Sequence, residues 1–261
     1  MSYEVLAIRY ATRDTWTRDI YANPWVYDEP DRPARMDYFF WLLRGGGRIV
    51  LVDTGFTPEV GAARARTTLC PPPRALARLG VEPADVDTVV ITHAHYDHTG
   101  NAGIFPRAQI VISDRELAFW TGPYGGRQQF AHSAERADLG TLRRLDDAGR
   151  VTRMSGRHQV APGIELIEVG GHTPGQLIAL VDGEAGPVLL ASDAVHYYDE
   201  LDLDRPFAVF ADLAGMYAGF DTVRDLAAAS GAAVVAGHDP AVLTRFTPWD
   251  TADPGFAVRV G

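Results

Sequence analysis

The segment "ITHAHYDHTG", residues 91–100, places three of the chain's eight histidines and one aspartate within six positions, directly after the apolar run "DTVVIT" (87–92). A lone histidine is more often structural than a ligand. Four imidazole and carboxylate groups in the order H-x-H-x-D-H at the end of a buried strand point instead to a metal site. If the strand extends through them, alternate residues share a face, so His93, His95 and Asp97 converge and His98 joins from the turn beyond. The set lacks a thiolate, which suits a catalytic zinc, manganese or iron better than a structural zinc.

A chain of 261 residues buries a substantial core unaided, so a metal here serves chemistry more than folding. The net charge of -10 opposes attraction to nucleic acid. Every basic residue other than histidine is arginine, and the absence of lysine removes Schiff-base chemistry and lysine-dependent phosphate loops. Cys70, the single cysteine, sits outside every motif and reads as a small packing residue. No apolar run reaches the length of a membrane span. The start "MSYEVLAIRY" has no secretory pattern, so a cytoplasmic location is expected.

No internal repeat or low-complexity linker divides the chain, and a single domain over 1–261 is the simplest organisation. Apolar or alternating runs at 3–9, 38–43 and 48–53, the last two joined by Gly45-Gly46-Gly47, predict an N-terminal antiparallel sheet with a hairpin. A helical pattern runs from Pro58 to Gly80, interrupted at Pro71-Pro72-Pro73. Further strands are expected at 87–92, 108–113, 164–169, 177–182, 187–192 and 232–237, and the strongest helix at 212–230, ended by Gly231. Residues from about 113 to 160 form an insertion of helical pieces and loops. Two runs of strands, each followed by helix, predict stacked sheets with helices on their outer faces.

Three more donors also follow strands: His172 in "GGHTPGQ", Asp193 in "LLASDAV" and His238 in "VVAGHDP". With "LVDTGF" (51–56) these ordered motifs resemble the metallo-β-lactamase-fold hydrolases over nearly the whole chain. The resemblance implies an α+β, αββα sandwich of two mixed sheets flanked by helices. It also implies a dinuclear site, with His93, His95 and His172 on one divalent metal, Asp97, His98 and His238 on the other, and Asp193 bridging. Zinc is expected, with manganese, iron or cobalt compatible. Asp53 would support a ligand from the D-T-G turn, where Gly55 permits a tight bend.

Within that group the chain looks most like the N-acyl homoserine lactonases and related lactone hydrolases. The implied reaction opens a lactone, a cyclic ester, with hydroxide formed on the two metals, and Asp97 relays the proton to the leaving alkoxide. The alternatives are a glyoxalase II-like thioesterase, although the C-terminal basic helical segment of those enzymes is not evident, and a cyclic amide hydrolase. In "SDAVHYYDE", His196 stands three residues after Asp193, where the lactonases carry a substrate-binding tyrosine, with Tyr197 next; either is a candidate catalytic donor. The expected partner is a small molecule with a hydrophobic or ring portion, with neither nucleic acid nor membrane involved, and the lactonase relatives imply a homodimer. A loop over 14–33 carrying Trp25 is a candidate cover for the site. Arg127, Arg136 and Arg157 are candidate carboxylate binders, and His132 and His158 read as solvated.

Overall fold

The computed structural model describes residues 1–261. The first sheet is built from β1 (Glu4–Trp16), β2 (Pro33–Gly45) and β3 (Arg48–Val52), then α1 (Pro58–Ala63), the two-residue β4 (Thr67–Thr68), α2 (Pro72–Arg78), β5 (Thr88–Val90), α3 (Tyr96–Thr99) and β6 (Gln109–Ser113). A helical stretch follows, with α4 (Asp114–Thr121), α5 (Gln128–Ala131) and α6 (Arg136–Asp147), before β7 (Val151–Met154) closes this sheet. The second sheet uses β8 (Arg157–Ala161), β9 (Ile164–Glu168), β10 (Leu177–Gly183) and β11 (Gly186–Ser192). After α7 (Tyr198–Asp202) and α8 (Leu213–Ser230) it gains β12 (Ala233–Ala236), and the chain ends with α9 (Val242–Arg245), β13 (Thr247–Pro248) and β14 (Ala257–Arg259).

The first sheet runs β13-β14-β1-β2-β3-β5-β6-β7, with β4 pairing β1, and the second runs β12-β11-β10-β9-β8. Both are mixed: β3, β5, β6 and β7 are parallel neighbours, as are β11 and β12, while the other pairs are antiparallel. One continuous core of 71 buried residues draws on both sheets. Helices flank the pair, giving the expected α+β sandwich. No helix is long and apolar enough to cross a membrane.

Local sequence accounts for these elements. Gly45 pairs with Arg48 across the hairpin, and the two residues between, Gly46 and Gly47, lie at φ 58° and 73°, which closes a two-residue turn matched to the strand twist. In α8 the Asp212 carboxylate accepts from the Ala214 amide, Met216, Gly219, Phe220 and Val223 form the buried stripe, and Gly231 at φ 69° ends the helix.

Three expectations need correction. The pattern over 58–80 is two short helices, because Thr67 and Thr68 leave the first to pair with β1. The stretch 151–158, expected to be helix or loop, contains β7 and the start of β8. Both are edge strands, and edges carry polar sequence: Arg153 pairs with Asp146 and Asp114, and Arg157 with Glu165. Finally, β5 ends at Val90, so His93 and His95 do not alternate along a strand. They lie in irregular chain, and Asp97 and His98 belong to the one-turn helix α3.

Candidate metal centre

The backbone between β5 and α3 is held by two buried carboxylates. Asp53, in the left-handed region at φ 63°, accepts from the Thr92 amide and hydroxyl, both at 2.8 Å. Glu116 of α4 accepts from the Ala94 amide at 2.9 Å, the Gly175 amide at 2.9 Å and the Trp120 indole at 2.7 Å. Thus the residue before His93 and the residue between His93 and His95 are both pinned. The carbonyl of His98 accepts from the Thr54 amide and hydroxyl, each at 2.9 Å, which seats α3 on the turn after β3. Gly55 in that turn lies at φ 66°, and a Cβ there would stand 2.7 Å from Pro72 Cγ.

The remaining donors arrive from the ends of the second sheet. His172 follows Gly170 and Gly171 after β9, Asp193 follows β11, and His238 follows β12. Seven donor groups meet in two sets: His93, His95, His172 and Asp193, and Asp97, His98 and His238. Asp193 stands between them. Its Oδ2 lies 3.4 Å from His172 Nε2 and 3.7 Å from His93 Nε2, while its Oδ1 lies 3.2 Å from His238 Nε2 and 3.4 Å from His98 Nε2.

Hydrogen bonding fixes which ring nitrogens face inward. Nδ1 of His172 lies 2.8 Å from the Val209 carbonyl, and Nδ1 of His238 lies 2.8 Å from the Asp37 carbonyl. A carbonyl only accepts, so each Nδ1 carries a proton and each Nε2 is the nitrogen turned toward the other donors. His98 Nδ1 is likewise engaged, 2.7 Å from Asp53. Nε2 of His93, His98 and His238 and Oδ1 of Asp193 are buried without a hydrogen-bond partner. Leaving such atoms unpaired costs about 1–3 kcal/mol each. A pair of divalent cations fits this donor set of nitrogen lone pairs and carboxylate oxygens.

For His93, His95 and His172 the electrostatics agree. Burial holds His93 and His172 well below the usual histidine range and lowers His95 to about 3, which keeps these imidazoles neutral. At His98 burial acts in the same direction, but Asp193, Asp53 and Asp97 outweigh it and raise the value. Burial alone would raise Asp193; the surrounding imidazoles, His238 and His98 first, hold it well below the carboxylate range.

Residues 37–238 match the metallo-β-lactamase superfamily, most of the chain. The chain belongs to that superfamily. Among its relatives is the N-acyl homoserine lactonase AiiB of Agrobacterium fabrum, 30% identical over 76% of this chain and 78% of that enzyme. An N-acyl homoserine lactonase of Bacillus sp is 33% identical, but the match covers 52% of this chain and 49% of the relative, about half its length. A solved quorum-quenching N-acyl homoserine lactone lactonase shares the fold, with TM-score 0.77 at 21% identity over 92% of this chain and 94% of that one.

Around this superfamily centre the structure rearranges several of the expected contacts. His196 is fully buried and turned to the donors, its Nε2 3.2 Å from Asp193 Oδ2 and its ring stacked 3.7 Å from Phe207. Burial disfavours its cation, yet Asp193 and Glu200 lift it to about 9. Tyr197 does not join it. The Tyr197 hydroxyl donates to the Arg35 carbonyl at 3.1 Å, and the side chain does not line the metal pocket, because the extended backbone at this position points successive side chains apart.

Trp25 also lies elsewhere: it is 77% exposed and lines a separate pocket with Tyr21, Tyr27 and Arg205. The N-terminal region reaches the metal pocket through Arg13, Asp19, Met36 and Tyr38 instead. The expected arginines 127, 136 and 157 are exposed and absent from its lining, whereas Arg13, Arg64 and Arg66 line it; His132 is exposed, as expected, and also borders the pocket. Sequence reasoning missed Glu116 and Glu200. Their signals were faint: Glu116 looked like an ordinary first-turn acid of α4, and Glu200 lies four residues after His196, one helical turn away.

Proposed function

We propose that this chain is a dinuclear metal-dependent hydrolase that opens a small lactone, N-acyl homoserine lactone-like or related. The observation that carries the reading is the division of Asp193, one carboxylate oxygen toward each set of donors. In this reading His93, His95 and His172 would hold one divalent cation and Asp97, His98 and His238 the other, with Asp193 standing between the two sets. Zinc is the first choice, with manganese, iron and cobalt compatible. When bound, such ions polarise the ester carbonyl and acidify a water from about 15.7 towards about 7.

The chain's own groups supply the rest. Asp97 lines the pocket, and its carboxylate forms no hydrogen bond within the protein, leaving an oxygen to take the proton of the attacking water and return it to the leaving alkoxide. Water adds to the acyl carbon, the ring C–O bond breaks, and the product is a hydroxy acid. His196, buttressed by Glu200 at 3.2 Å from Nδ1 and 3.2 Å from Asp193 Oδ2 through Nε2, orients the Asp193 carboxylate from behind the pocket wall. Phe119, Trp120, Phe130 and Val209 form an apolar wall beside His95 and His172 for the hydrophobic portion of the substrate to pack against. A cytoplasmic location and a homodimer belong to the same reading.

The test combines metal analysis with turnover. Protein loaded with zinc or manganese is assayed on lactones, thioesters and cyclic amides. Lactone opening that follows metal content supports the proposal. Thioester cleavage with no lactone opening replaces it with a glyoxalase II-like activity.

A further inference from the structure

The metal pocket is lined by three arginines, and their pairing differs in a way that bears on the substrate. Arg64 is satisfied: it meets the Glu135 carboxylate at 2.7 Å and the His132 carbonyl at 2.7 Å. Arg66 has no carboxylate partner. Its Nε donates to the Tyr96 hydroxyl at 3.1 Å and its Nη1 to the Arg64 carbonyl at 2.5 Å, so the guanidinium is fixed while Nη2 has no protein partner. The guanidinium of Arg13, on the same wall, forms neither a hydrogen bond nor an ion pair. Ala65, between Arg64 and Arg66, lies at φ 54°, a conformation costly for a residue with a Cβ. The turn that sets Arg66 over the pocket is thus held against a backbone penalty.

Half-buried and anchored, Arg66 forms no direct ion pair although Asp97 nearby favours its cation, and its Nη2 donors have no partner in the protein. Its Tyr96 partner is the residue before Asp97 and also lines the pocket, so the guanidinium is tied to the wall of the donor cluster. Asp19 is the one carboxylate of the lining outside the proposed ligand set, and it forms no ion pair with either arginine. A planar guanidinium with free donors is suited to a carboxylate.

We propose that Arg66, assisted by Arg13, binds an anionic group of the substrate, so that the preferred ester is a lactone bearing a carboxylate rather than a neutral acyl chain. The proposal rests on the lactonase reading and specifies its substrate class.

A matched pair tests it: N-glutaryl homoserine lactone, whose chain ends in a carboxylate, against N-pentanoyl homoserine lactone of the same chain length. The metal-loaded protein is expected to favour the glutaryl compound by at least tenfold in kcat/KM, less so at high salt because screening weakens the contact. Arg66→Gln should lower that ratio at least tenfold, and Arg66→Lys, which keeps the charge, by less. A wild-type ratio of one or below, or a ratio in Arg66→Gln within twofold of wild type, overturns the proposal. If neither lactone opens, the lactonase reading fails, and calorimetric titration with glutarate and pentanoate decides the anion site by itself. Glutarate binding that Arg66→Gln weakens at least tenfold, and more than it weakens pentanoate binding, upholds the site; glutarate affinity in Arg66→Gln within twofold of wild type overturns it.

Discussion

Asp53 and His98 are joined by a 2.7 Å contact between Oδ2 and Nδ1 that connects the turn after β3 to α3. The contact turns His98 Nε2 toward Asp193, and the same carboxylate holds Thr92, the residue before His93. One buried acid therefore aligns the approach to both metal sets. Asp53→Asn keeps the shape, and asparagine tolerates the positive φ, but the charge-assisted partner of His98 is lost. Metal affinity should fall about 10- to 100-fold, measured by competition with a chelating dye. Unchanged affinity would reduce Asp53 to a structural turn residue.

Removing metal should destabilise the fold. The unpaired Nε2 atoms and the Asp193 oxygen are left buried without partners, and bound cations stabilise only the native state. At saturating metal, about 100 times the dissociation constant, the linkage is worth about 2.7 kcal/mol. Chelation is then expected to lower Tm by about 5–10 °C, reversibly on adding zinc or manganese. The variant His95→Ala should lose hydrolysis along with metal stoichiometry; full activity without this imidazole would defeat the metal mechanism.

His196 is either a positioning residue for Asp193 or a ligand. As a positioning residue, His196→Ala lowers kcat about 10- to 100-fold while two metal equivalents remain bound. Metal analysis and kinetics on one sample make the distinction. Loss of an equivalent in step with activity would mean that its Nε2, 3.2 Å from Asp193, serves as an additional ligand.

Gly55 should not accept a side chain. Gly55→Ala meets both the strained φ of 66° and contacts of 2.7 Å to Pro72 and 3.0 Å to Tyr10. The cost is expected to be at least about 2 kcal/mol in denaturant unfolding. Because the Tyr10 hydroxyl donates to the Asp97 carbonyl at 2.9 Å, activity should fall with it.

Asp138 sets a pH dependence remote from the metals. Burial, then Glu135, raises its carboxyl to about 6 against the opposing Arg64. With the folded value above the unfolded one, the native state binds the proton more tightly. That stabilisation is fully present below about 4 and is lost as pH rises through about 6. Asp138→Asn should therefore raise stability at pH 7.5 by about 1 kcal/mol, allowing for solvent screening of a partly exposed group, with the gain vanishing near pH 4. A gain independent of pH would exclude ionisation as its cause.

The order of the donors along the chain was legible because metal chemistry restricts which residue types can sit together, and because strands announce themselves by short apolar runs. The H-x-H-x-D-H segment, the sheet pattern and the helix ended by Gly231 follow from such local rules, whereas His172, Asp193 and His238 are weak signals singly and join the set through the family resemblance. Edge strands were hidden, since solvent allows β7 and β8 to be polar. Tertiary structure alone decided that His196 turns inward while Tyr197 turns to Arg35, and that Trp25 faces solvent away from the metals. It also decided that the arginines of the pocket are 13, 64 and 66. These are choices between neighbours of similar chemistry, made by packing across long chain separations such as Glu116 to Gly175 and Asp37 to His238, which no local pattern encodes.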